Sequence, residues 1–263
     1  MDLGLQGKYA LVTGASRGLG YAAAHKLAEE GCRVAINSRS EERISAAADK
    51  ISSDTGVVAV PIPGEVNHPE APEQIVQQAV DELGGLDILV TNSGGPPSGK
   101  FNDLDDQTWV SATELNFLSH VRLIRAALPY LRNSQAASVL TVTSYSVKQP
   151  IPNLVLSNSI RAATIGLTKS LALELGSEGI RFNSILPGWT ETERVKELMS
   201  DRAKINKTTP EFEIDQQSKQ SPLGRMGTPE EFANVATFLL SPAASYVTGV
   251  MMNVDGGMYK GTF

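Results

Sequence analysis

Short apolar runs alternate with longer amphipathic stretches along the whole chain. The short runs predict seven strands, near 8–13, 33–37, 57–62, 86–91, 137–143, 180–186 and 250–254. Between them, apolar positions recur at helical spacing and predict helices near 18–30, 40–52, 70–83, 106–132, 154–175, 193–200 and 229–240. This alternation favours an α/β fold, a doubly wound seven-stranded parallel sheet with helices on both faces.

The chain is predicted to form one domain over residues 1–263. No segment repeats at a fixed period, and no linker rich in Gly, Ser or Pro divides the sequence. A chain of 263 residues is long enough to bury one sizeable core. One segment, residues 193–220, is polar with scattered apolar positions. An insertion after a late strand lies over the carboxyl edge of such a sheet, so this segment is interpreted as a mobile substrate lid, with an ordinary surface excursion as the alternative.

Composition points to small-molecule chemistry. The chain carries 23 basic and 29 acidic residues, for a net charge of −6, and no basic run that is typical of nucleic-acid or anionic-membrane binding. Its single cysteine, Cys32, excludes an internal disulfide framework and a cysteine-based zinc cluster, and is expected in the core. The N-terminus lacks a basic region followed by an apolar stretch, and no run of apolar residues is long enough to span a membrane. A cytoplasmic location is therefore expected.

A glycine-rich turn follows the first predicted strand, in the stretch Thr13-Gly14-Ala15-Ser16-Arg17-Gly18-Leu19-Gly20. Gly14 would allow the turn, Gly18 would let backbone amides approach a diphosphate, and Gly20 would let the next helix pack closely. The glycines could also form only a tight connection. The phosphate-binding interpretation is favoured because a second apolar run ends about twenty residues on, where the second strand of a βαβ unit should end.

The second predicted strand ends in Asn37-Ser38-Arg39. An NAD-selecting domain would place an acidic side chain here to accept bonds from the ribose 2′-hydroxyl. A guanidinium at Arg39, with Arg17 in the glycine turn, would instead pair with a 2′-phosphate. The sequence thus predicts NADP(H) as the cofactor, with a simple surface arginine at Arg39 as the alternative.

The spacing T-G-x-x-x-G-x-G resembles the short-chain dehydrogenase/reductase family, whose members are single Rossmann domains that bind a nicotinamide cofactor. Further stretches match the family in order, including 64–66, 91–95, 186–192 and 253–257. The resemblance implies the Rossmann fold and, with the turn and strand end above, a cofactor site made of Gly14, Ser16, Arg17, Gly18, Leu19, Gly20, Ser38, Arg39, Glu65, Val66, Asn92, Ser93, Gly94, Pro187, Gly188, Thr190 and Thr192. It also implies a homodimer or homotetramer, assembled through the two long helices and the terminal strand.

The family's chemistry depends on an Asn, a Ser and a Tyr-x-x-x-Lys pair. Asn116 fits the Asn, and Ser144 fits the Ser. Counting the family's usual separation of thirteen residues from Ser144 gives Ser157, and four more give Arg161. The i, i+4 spacing puts both side chains on one helix face. A serine hydroxyl is a much poorer proton donor than a phenol, and a guanidinium does not relay protons.

Several groups could replace the missing phenol. Tyr145 and Lys148 are near in sequence, and a water or a Ser157–Arg161 pair could act instead. His120 is a less favoured candidate, with a packed or surface histidine as the alternative.

The resemblance implies an NADP(H)-dependent oxidoreductase that transfers hydride between the nicotinamide and a small-molecule carbonyl or alcohol, similar to the 3-oxoacyl-carrier-protein reductase branch. The alternative is a catalytically silent nucleotide-binding or sensor protein of the same fold. Neither interpretation includes a metal, a nucleic acid or a membrane.

Overall fold

The computed structural model describes residues 1–262, which form one seven-stranded sheet. All strand pairs are parallel, and the strand order is β3-β2-β1-β4-β5-β6-β7. The strands are β1 Tyr9–Val12, β2 Arg33–Ser38, β3 Ala59–Pro63, β4 Ile88–Thr91, β5 Ser138–Val142, β6 Arg181–Pro187 and β7 Met251–Val254. The predicted doubly wound α/β fold is confirmed.

Helices cover both faces of the sheet. Within the described residues they are α1 Gly18–Glu29, α2 Glu41–Thr55, α3 Ala71–Leu83, α4 Asp106–Thr113, α5 Ser119–Leu131, α6 Val155–Leu175, α7 Glu193–Asn206, α8 Pro210–Ser218 and α9 Pro229–Leu240. The strand order reverses beside β1, where Leu11 pairs with Ala35 of β2 on one side and with Leu89 of β4 on the other. At such a switch point the connections leave towards opposite faces and open a crevice at the carboxyl ends of the strands.

Two apolar layers hold the helices on the sheet. One layer includes Leu27 of α1, Ile51 of α2 and Phe232 of α9. The other includes Ile75 of α3 and Leu123 of α5. Cys32 is fully buried in the first layer, as expected, and burial raises the pKa of its thiol to about 12.

The structure differs from the sequence expectation at two places. The predicted helix near 106–132 is split by a π-helical turn, Glu114–Leu118, between α4 and α5. The segment 193–220 contains two helices: α7 extends beyond the predicted helix near 193–200, and α8 has no counterpart in the prediction.

Polar side chains join α7 to α8. Arg202 Nη1 donates to Gln217 Oε1 at 2.9 Å, and Asn206 Nδ2 donates to Glu213 Oε1 at 3.0 Å. Thr208 also donates to Glu213. These bonds make the segment a helical hairpin, called the α7–α8 hairpin below.

Candidate active site at the carboxyl edge of the sheet

The turn between β1 and α1 has a backbone conformation and a close packing that require glycine. Gly14 and Gly18 have φ angles of 60° and 61°, in the left-handed region that side chains disfavour. A Cβ on Gly20 would lie 2.4 Å from the carbonyl oxygen of Gly14. The start of α1 therefore lies directly against the end of β1.

Asn92 fixes this turn to the neighbouring strand. Thr13 Oγ1 donates to the Asn92 carbonyl oxygen at 2.8 Å, and the Asn92 N–H donates back to Thr13 Oγ1 at 3.0 Å. Asn92 Nδ2 donates to the Gly14 carbonyl oxygen at 3.0 Å. Of the predicted cofactor residues, Asn92 thus has a clear positioning role, because its polar groups hold the turn rather than face the crevice.

The first turn of α1 is free to receive an anion. Its N-cap residue, Arg17, is extended and provides no side-chain cap, and no acidic residue lies in the first turn. Helices α3, α5 and α6 also lack a side-chain cap, whereas α2, α4, α7, α8 and α9 are each capped by a side chain. Unpaired N–H groups at a helix start, approached closely over glycines, suit a phosphate group. These residues therefore fit the diphosphate of a dinucleotide; Ser16 and Leu19 lie half-buried in the same turn.

The end of β2 and the loop after β3 lie beside this turn. Asn37 Nδ2 donates to the carbonyl oxygens of Ile62 and Gly64, and Ser38 Oγ donates to the Ser40 carbonyl oxygen at 3.3 Å. Arg39 is exposed and has no ion-pair partner among residues 1–262. Arg39 is therefore the group at this strand end that is free for a ligand.

The loop after β3 carries the other two residues predicted on this side. Glu65 lies 3.4 Å from His68 Nε2, and Val66 is buried.

Asn116 lies in the π-helical turn and reaches the end of β4. Its Nδ2 donates to Ser93 Oγ at 2.9 Å and to the Gly94 carbonyl oxygen at 2.7 Å. Its own carbonyl oxygen accepts a bond from Thr164 Oγ1 of α6 at 3.0 Å. Asn116 thus joins three elements at the crevice, while its buried Oδ1 has no partner in the described residues.

Arg161 lies under the end of β5. The side chain is buried, and Nη1 donates to the carbonyl oxygens of Val142 at 3.1 Å and Thr143 at 3.2 Å. Burial, and then the positive charge of Arg194, lower the pKa of Arg161 to about 10. The Arg161 guanidinium is nevertheless charged at neutral pH, and one of its bonds goes to the carbonyl oxygen of Thr143, the residue before Ser144.

The two serines differ in their contacts. Ser144 Oγ accepts a bond from the Ser146 N–H at 3.1 Å and caps a short 3₁₀ turn. Ser157 lies half-buried in the first turn of α6, one turn before Arg161, and its hydroxyl bonds to no group in residues 1–262. The structure therefore leaves the Ser157 hydroxyl available to a ligand.

Tyr145 is buried rather than exposed in a loop. It packs in an apolar cluster with Trp189, Met199, Met226 and Met258, and its hydroxyl accepts a bond from Trp189 Nε1 at 3.1 Å. Burial raises the pKa of the phenol. Tyr145, the residue after Ser144, thus packs in the same apolar cluster as Met199 of the α7–α8 hairpin.

Two other candidates have structural roles. Lys148 points to the last strand, where Nζ donates to the Met251 carbonyl oxygen at 3.2 Å and lies 5.3 Å from the ring centre of Tyr259. His120 is fully buried and its Nδ1 lies 2.6 Å from Thr91 Oγ1. Burial, with a contribution from the Arg161 charge, lowers the pKa of His120 to about 3, so it is a neutral packed residue.

Residues 187–192 connect β6 to the hairpin. A Cβ on Gly188 would lie 2.7 Å from the Asp255 Cα, so the chain passes close to the turn after β7. Pro187 ends β6, and Thr190 is buried in a β-bridge to Gly227.

The start of α7 rests on the glycine turn. Thr192 caps α7 by accepting a bond from the Val195 N–H, and its methyl carbon lies 3.7 Å from the place that a Cβ on Gly18 would take. Arg194 Nη2 donates to the Pro96 carbonyl oxygen at 3.1 Å. Glu197 Oε1 lies 3.5 Å from Arg17 Nη2. The hairpin thus covers the crevice, and sequence reasoning missed Arg194, Glu197 and the role of Trp189 because no motif marks them.

Residues 1–262 contain neither a helix that could span a membrane nor a cluster of metal-binding side chains. No helix there has both the length and the apolar character to cross a bilayer. No group of three or more His, Cys, Asp or Glu side chains there could hold a metal ion.

Known proteins resemble the chain over nearly its whole length. A family model described as Enoyl-(Acyl carrier protein) reductase matches residues 14–259. The 3-oxoacyl-[acyl-carrier-protein] reductase FabG of Vibrio cholerae is 35% identical over 259 residues, which cover 98% of this chain and 99% of that protein. The dehydrogenase/reductase SDR family member 4 of Bos taurus is 33% identical, over 96% of this chain and 88% of that protein.

Among solved structures, the L-sorbose reductase of Gluconobacter frateurii, complexed with NADPH and L-sorbose, has a TM-score of 0.94 and 31% identity over 99% of this chain and 100% of its own. An actinorhodin polyketide ketoreductase variant with NADPH has a TM-score of 0.92 and 28% identity, over 99% of both chains.

Proposed function

The chain belongs to the short-chain dehydrogenase/reductase family of oxidoreductases, and from that premise we propose that it is an NADP(H)-dependent reductase or dehydrogenase acting on a small-molecule carbonyl or alcohol. The observation that carries the proposal is the uncapped start of α1 under the glycine turn, with the exposed Arg17 and Arg39 beside it. Backbone N–H groups would hold the diphosphate, and the two guanidinium groups would pair with a 2′-phosphate. Two structural relatives were crystallised with NADPH, which supports the same cofactor.

The remaining cofactor contacts follow from the loops around the crevice. Gly94 has open space where a side chain would stand, and Thr192 lies against Gly18. The nicotinamide end of the cofactor is proposed to lie between these two loops, with Pro187 and Gly188 beneath it. When bound, the nicotinamide supplies or accepts the hydride.

Ser144 and Arg161 are the proposed groups nearest the reacting carbonyl. The Ser144 hydroxyl would donate a hydrogen bond to the substrate oxygen, where negative charge develops during reduction. Arg161 keeps a fixed positive charge below it and would bond the ribose through nitrogens other than Nη1, which is held by two carbonyl oxygens. Asn116 would hold the loop after β4 in place through Ser93 and Gly94.

The proton donor is proposed to differ from the family's Tyr. By the resemblance, Ser157 and Arg161 stand where the family has Tyr and Lys. The Ser157 hydroxyl is free of protein partners, whereas the Tyr145 hydroxyl accepts a bond from Trp189 and keeps its own proton to donate. The candidate proton donors are therefore Ser157, Tyr145 and a water. Turnover of Tyr145→Phe compared with that of Ser157→Ala distinguishes them, because turnover is lost when the donor is removed.

The substrate class and the activity are proposed from the names of the similar proteins. A substrate of the 3-oxoacyl type, as a free 3-oxo acid or a carrier-protein thioester, is proposed because of the name of the Vibrio cholerae FabG, and the apolar cluster of Tyr145 and Trp189 suits an acyl chain. The alternative, a catalytically silent nucleotide-binding protein, has no support from the relatives described above, each of which is named as a reductase, ketoreductase or dehydrogenase/reductase.

One set of measurements tests the proposal. NADPH and NADH are titrated against the protein, and turnover is assayed on a panel of carbonyl compounds with the wild type, Ser144→Ala and the double variant Ser157→Tyr/Arg161→Lys. We expect NADPH to bind more tightly than NADH, and Ser144→Ala to reduce turnover about 100-fold or more, the size typical for loss of a group that stabilises a developing oxyanion. Tight NADPH binding with turnover only in the double variant would favour the silent protein. Binding of neither dinucleotide would reject both.

A further inference from the structure

Arg161 is a buried cation without an acidic partner. Its side chain is only 8% exposed, and its two hydrogen bonds from Nη1 go to uncharged backbone oxygens of Val142 and Thr143. No carboxylate forms an ion pair with it within residues 1–262. A buried charge is costly unless an opposite charge compensates it. Arg161 would therefore be stabilised by an anion that binds from outside the protein.

A second guanidinium approaches the same crevice from the α7–α8 hairpin. Arg194 Nη2 donates to the Pro96 carbonyl oxygen at 3.1 Å, and Nε lies 3.7 Å from the place of a Cβ on Gly95. Arg194 is thus held over the loop that follows β4, while Arg161 lies at the end of the adjacent strand β5. The positive charge of Arg194 contributes to the lowered pKa of Arg161, so the two cations repel each other, and no carboxylate of residues 1–262 forms an ion pair with Arg161.

The charges around the crevice do not balance. Glu197 pairs with two of the three guanidinium groups; it lies 3.8 Å from Arg194 Nη1 and 3.5 Å from Arg17 Nη2. Arg17 and Arg194 therefore share one carboxylate and Arg161 has none, in a protein whose net charge is −6. Arg202, another cation of the hairpin, already has protein partners, because it stacks on Trp189 and donates to Gln217. The surplus positive charge is concentrated at Arg161 and Arg194.

Building on the proposed function, we infer that Arg161 and Arg194 form a binding site for an anionic group beside Ser144, and that the group is a carboxylate of the substrate. Guanidinium groups bind carboxylate and phosphate oxygens through charge-assisted, often bidentate, hydrogen bonds. The dinucleotide diphosphate could supply the same chemistry. The substrate is favoured because the start of α1 already offers free N–H groups for the diphosphate, whereas Arg161 bonds to the carbonyl oxygen of Thr143, the residue before Ser144.

The test compares Arg194→Gln with Lys196→Gln. The Arg194 side chain on α7 is about half exposed, so its replacement leaves the core intact. Lys196 is exposed on the same helix and forms no ion pair within the described residues, so its variant removes one equal charge. The probes are inorganic phosphate, acetoacetate and the neutral ethyl acetoacetate at matched ionic strength. Binding is followed by thermal stabilisation and by intrinsic tryptophan fluorescence, in the free and the NADP⁺-saturated protein.

We expect Arg194→Gln to weaken the binding of acetoacetate and phosphate about tenfold or more, with ethyl acetoacetate unchanged and Lys196→Gln like the wild type. If this difference persists in the NADP⁺-saturated protein, the anion is the substrate's carboxylate. If it disappears there, and Arg194→Gln weakens NADPH binding about tenfold, the pair binds the dinucleotide diphosphate and the assignment to substrate is overturned. Equal responses of both variants to every anion would overturn the site itself. Failure of the wild type to bind either dinucleotide would reject the proposed function instead, and the anion titrations on the free protein would still decide the site.

Discussion

Single side chains of α7 link the hairpin to the glycine turn. Glu197 shares Arg17 with any 2′-phosphate that binds there, because its carboxylate lies 3.5 Å from the guanidinium. Both side chains are about half exposed, and solvent screens such pairs so that each is worth about 1 kcal/mol or less. Glu197 is therefore expected to compete only weakly with such a 2′-phosphate for Arg17.

Glu197→Gln is expected to tighten NADPH binding. Because a 2′-phosphate no longer has to displace the carboxylate, the Kd should fall up to about fivefold at low salt, which corresponds to the roughly 1 kcal/mol of an exposed pair. NADH lacks the 2′-phosphate, so its Kd should change little. Isothermal titration of both dinucleotides measures the two effects. Glu193→Gln, which removes an exposed carboxylate without an ion pair in the described residues, is the control; an equal effect there would show that only net charge matters.

His120 gives the stability of the protein a dependence on acid pH. In the folded chain this imidazole is buried and its pKa is about 3, whereas in the unfolded chain it is near 6.5. Between these values the unfolded chain binds more protons, so the free energy of unfolding should fall as the pH falls below 6.5, by up to about 1.4 kcal/mol per pH unit for this one group.

Urea unfolding at pH 7.5, 6 and 5 measures this slope. His120→Gln can still bond Thr91 but does not titrate, so the difference in stability between wild type and variant should shrink, or reverse in favour of the variant, towards pH 5. The exposed His68→Gln serves as the control. Parallel pH curves for wild type and His120→Gln would contradict the burial of a neutral imidazole.

Residue patterns predicted the position of the site better than the direction of its side chains. The glycine turn, Asn116 and the end of β5 lie at one edge because parallel strands bring their carboxyl ends together. Lys148 and Tyr145 are close to Ser144 in sequence, yet one points to β7 and the other into the apolar cluster. Such directions depend on contacts with elements far along the chain, which a local pattern does not contain.

Elements with an apolar face were predicted well, and those held by polar contacts were not. All seven strands appear within about two residues of their expected bounds, a typical boundary error. Helix α8 was missed because Glu213 and Gln217 join it to α7 by hydrogen bonds, and Ile214 is its single residue in the shared apolar cluster. Its start did carry a signal, since Thr209 caps the helix and Pro210 occupies the first turn.

The close contact of α1 with β1 predicts opposite effects for two helical glycines. Gly20→Ala would place a methyl group 2.4 Å from the Gly14 carbonyl oxygen, so the helix must shift. We expect a loss of roughly 1–3 kcal/mol in stability, as for other overpacked sites, and weaker NADPH binding. Gly166→Ala in α6 meets no atom within 4 Å and should stabilise the protein by up to about 1 kcal/mol, since alanine is the better helix former.

Chemical denaturation and dinucleotide titration of both variants check this expectation. If Gly20→Ala is as stable as the wild type and binds NADPH equally well, the turn has more room than the structure gives it.

At the scale of the whole molecule, the described residues expose apolar side chains on elements proposed to join subunits. Leu173 of α6 is 78% exposed and Val110 of α4 is 55% exposed. The expected homodimer or homotetramer would cover these side chains with the same helices of a second copy.

Leu173→Glu is therefore expected to shift the protein towards smaller species, because it would bury a charge in the interface. Val58→Glu, at a similarly exposed valine outside these helices, should leave the mass unchanged. Light scattering after size-exclusion chromatography gives the masses. A wild-type monomer at micromolar concentration would reject the proposed assembly.

The π-helical turn at Glu114–Leu118 has a consequence for length variation in this part of the chain. A π turn holds one residue more than an α-helical turn, so it can be read as an insertion that the surrounding helix tolerates. Deleting one residue here would restore a continuous α-helix and keep the apolar face of α5 on the sheet, but it would rotate Asn116 away from Ser93. Related chains that lack this residue should therefore fold normally but lose the contact that anchors the loop after β4. The presence of the extra residue would then indicate that the crevice is kept intact.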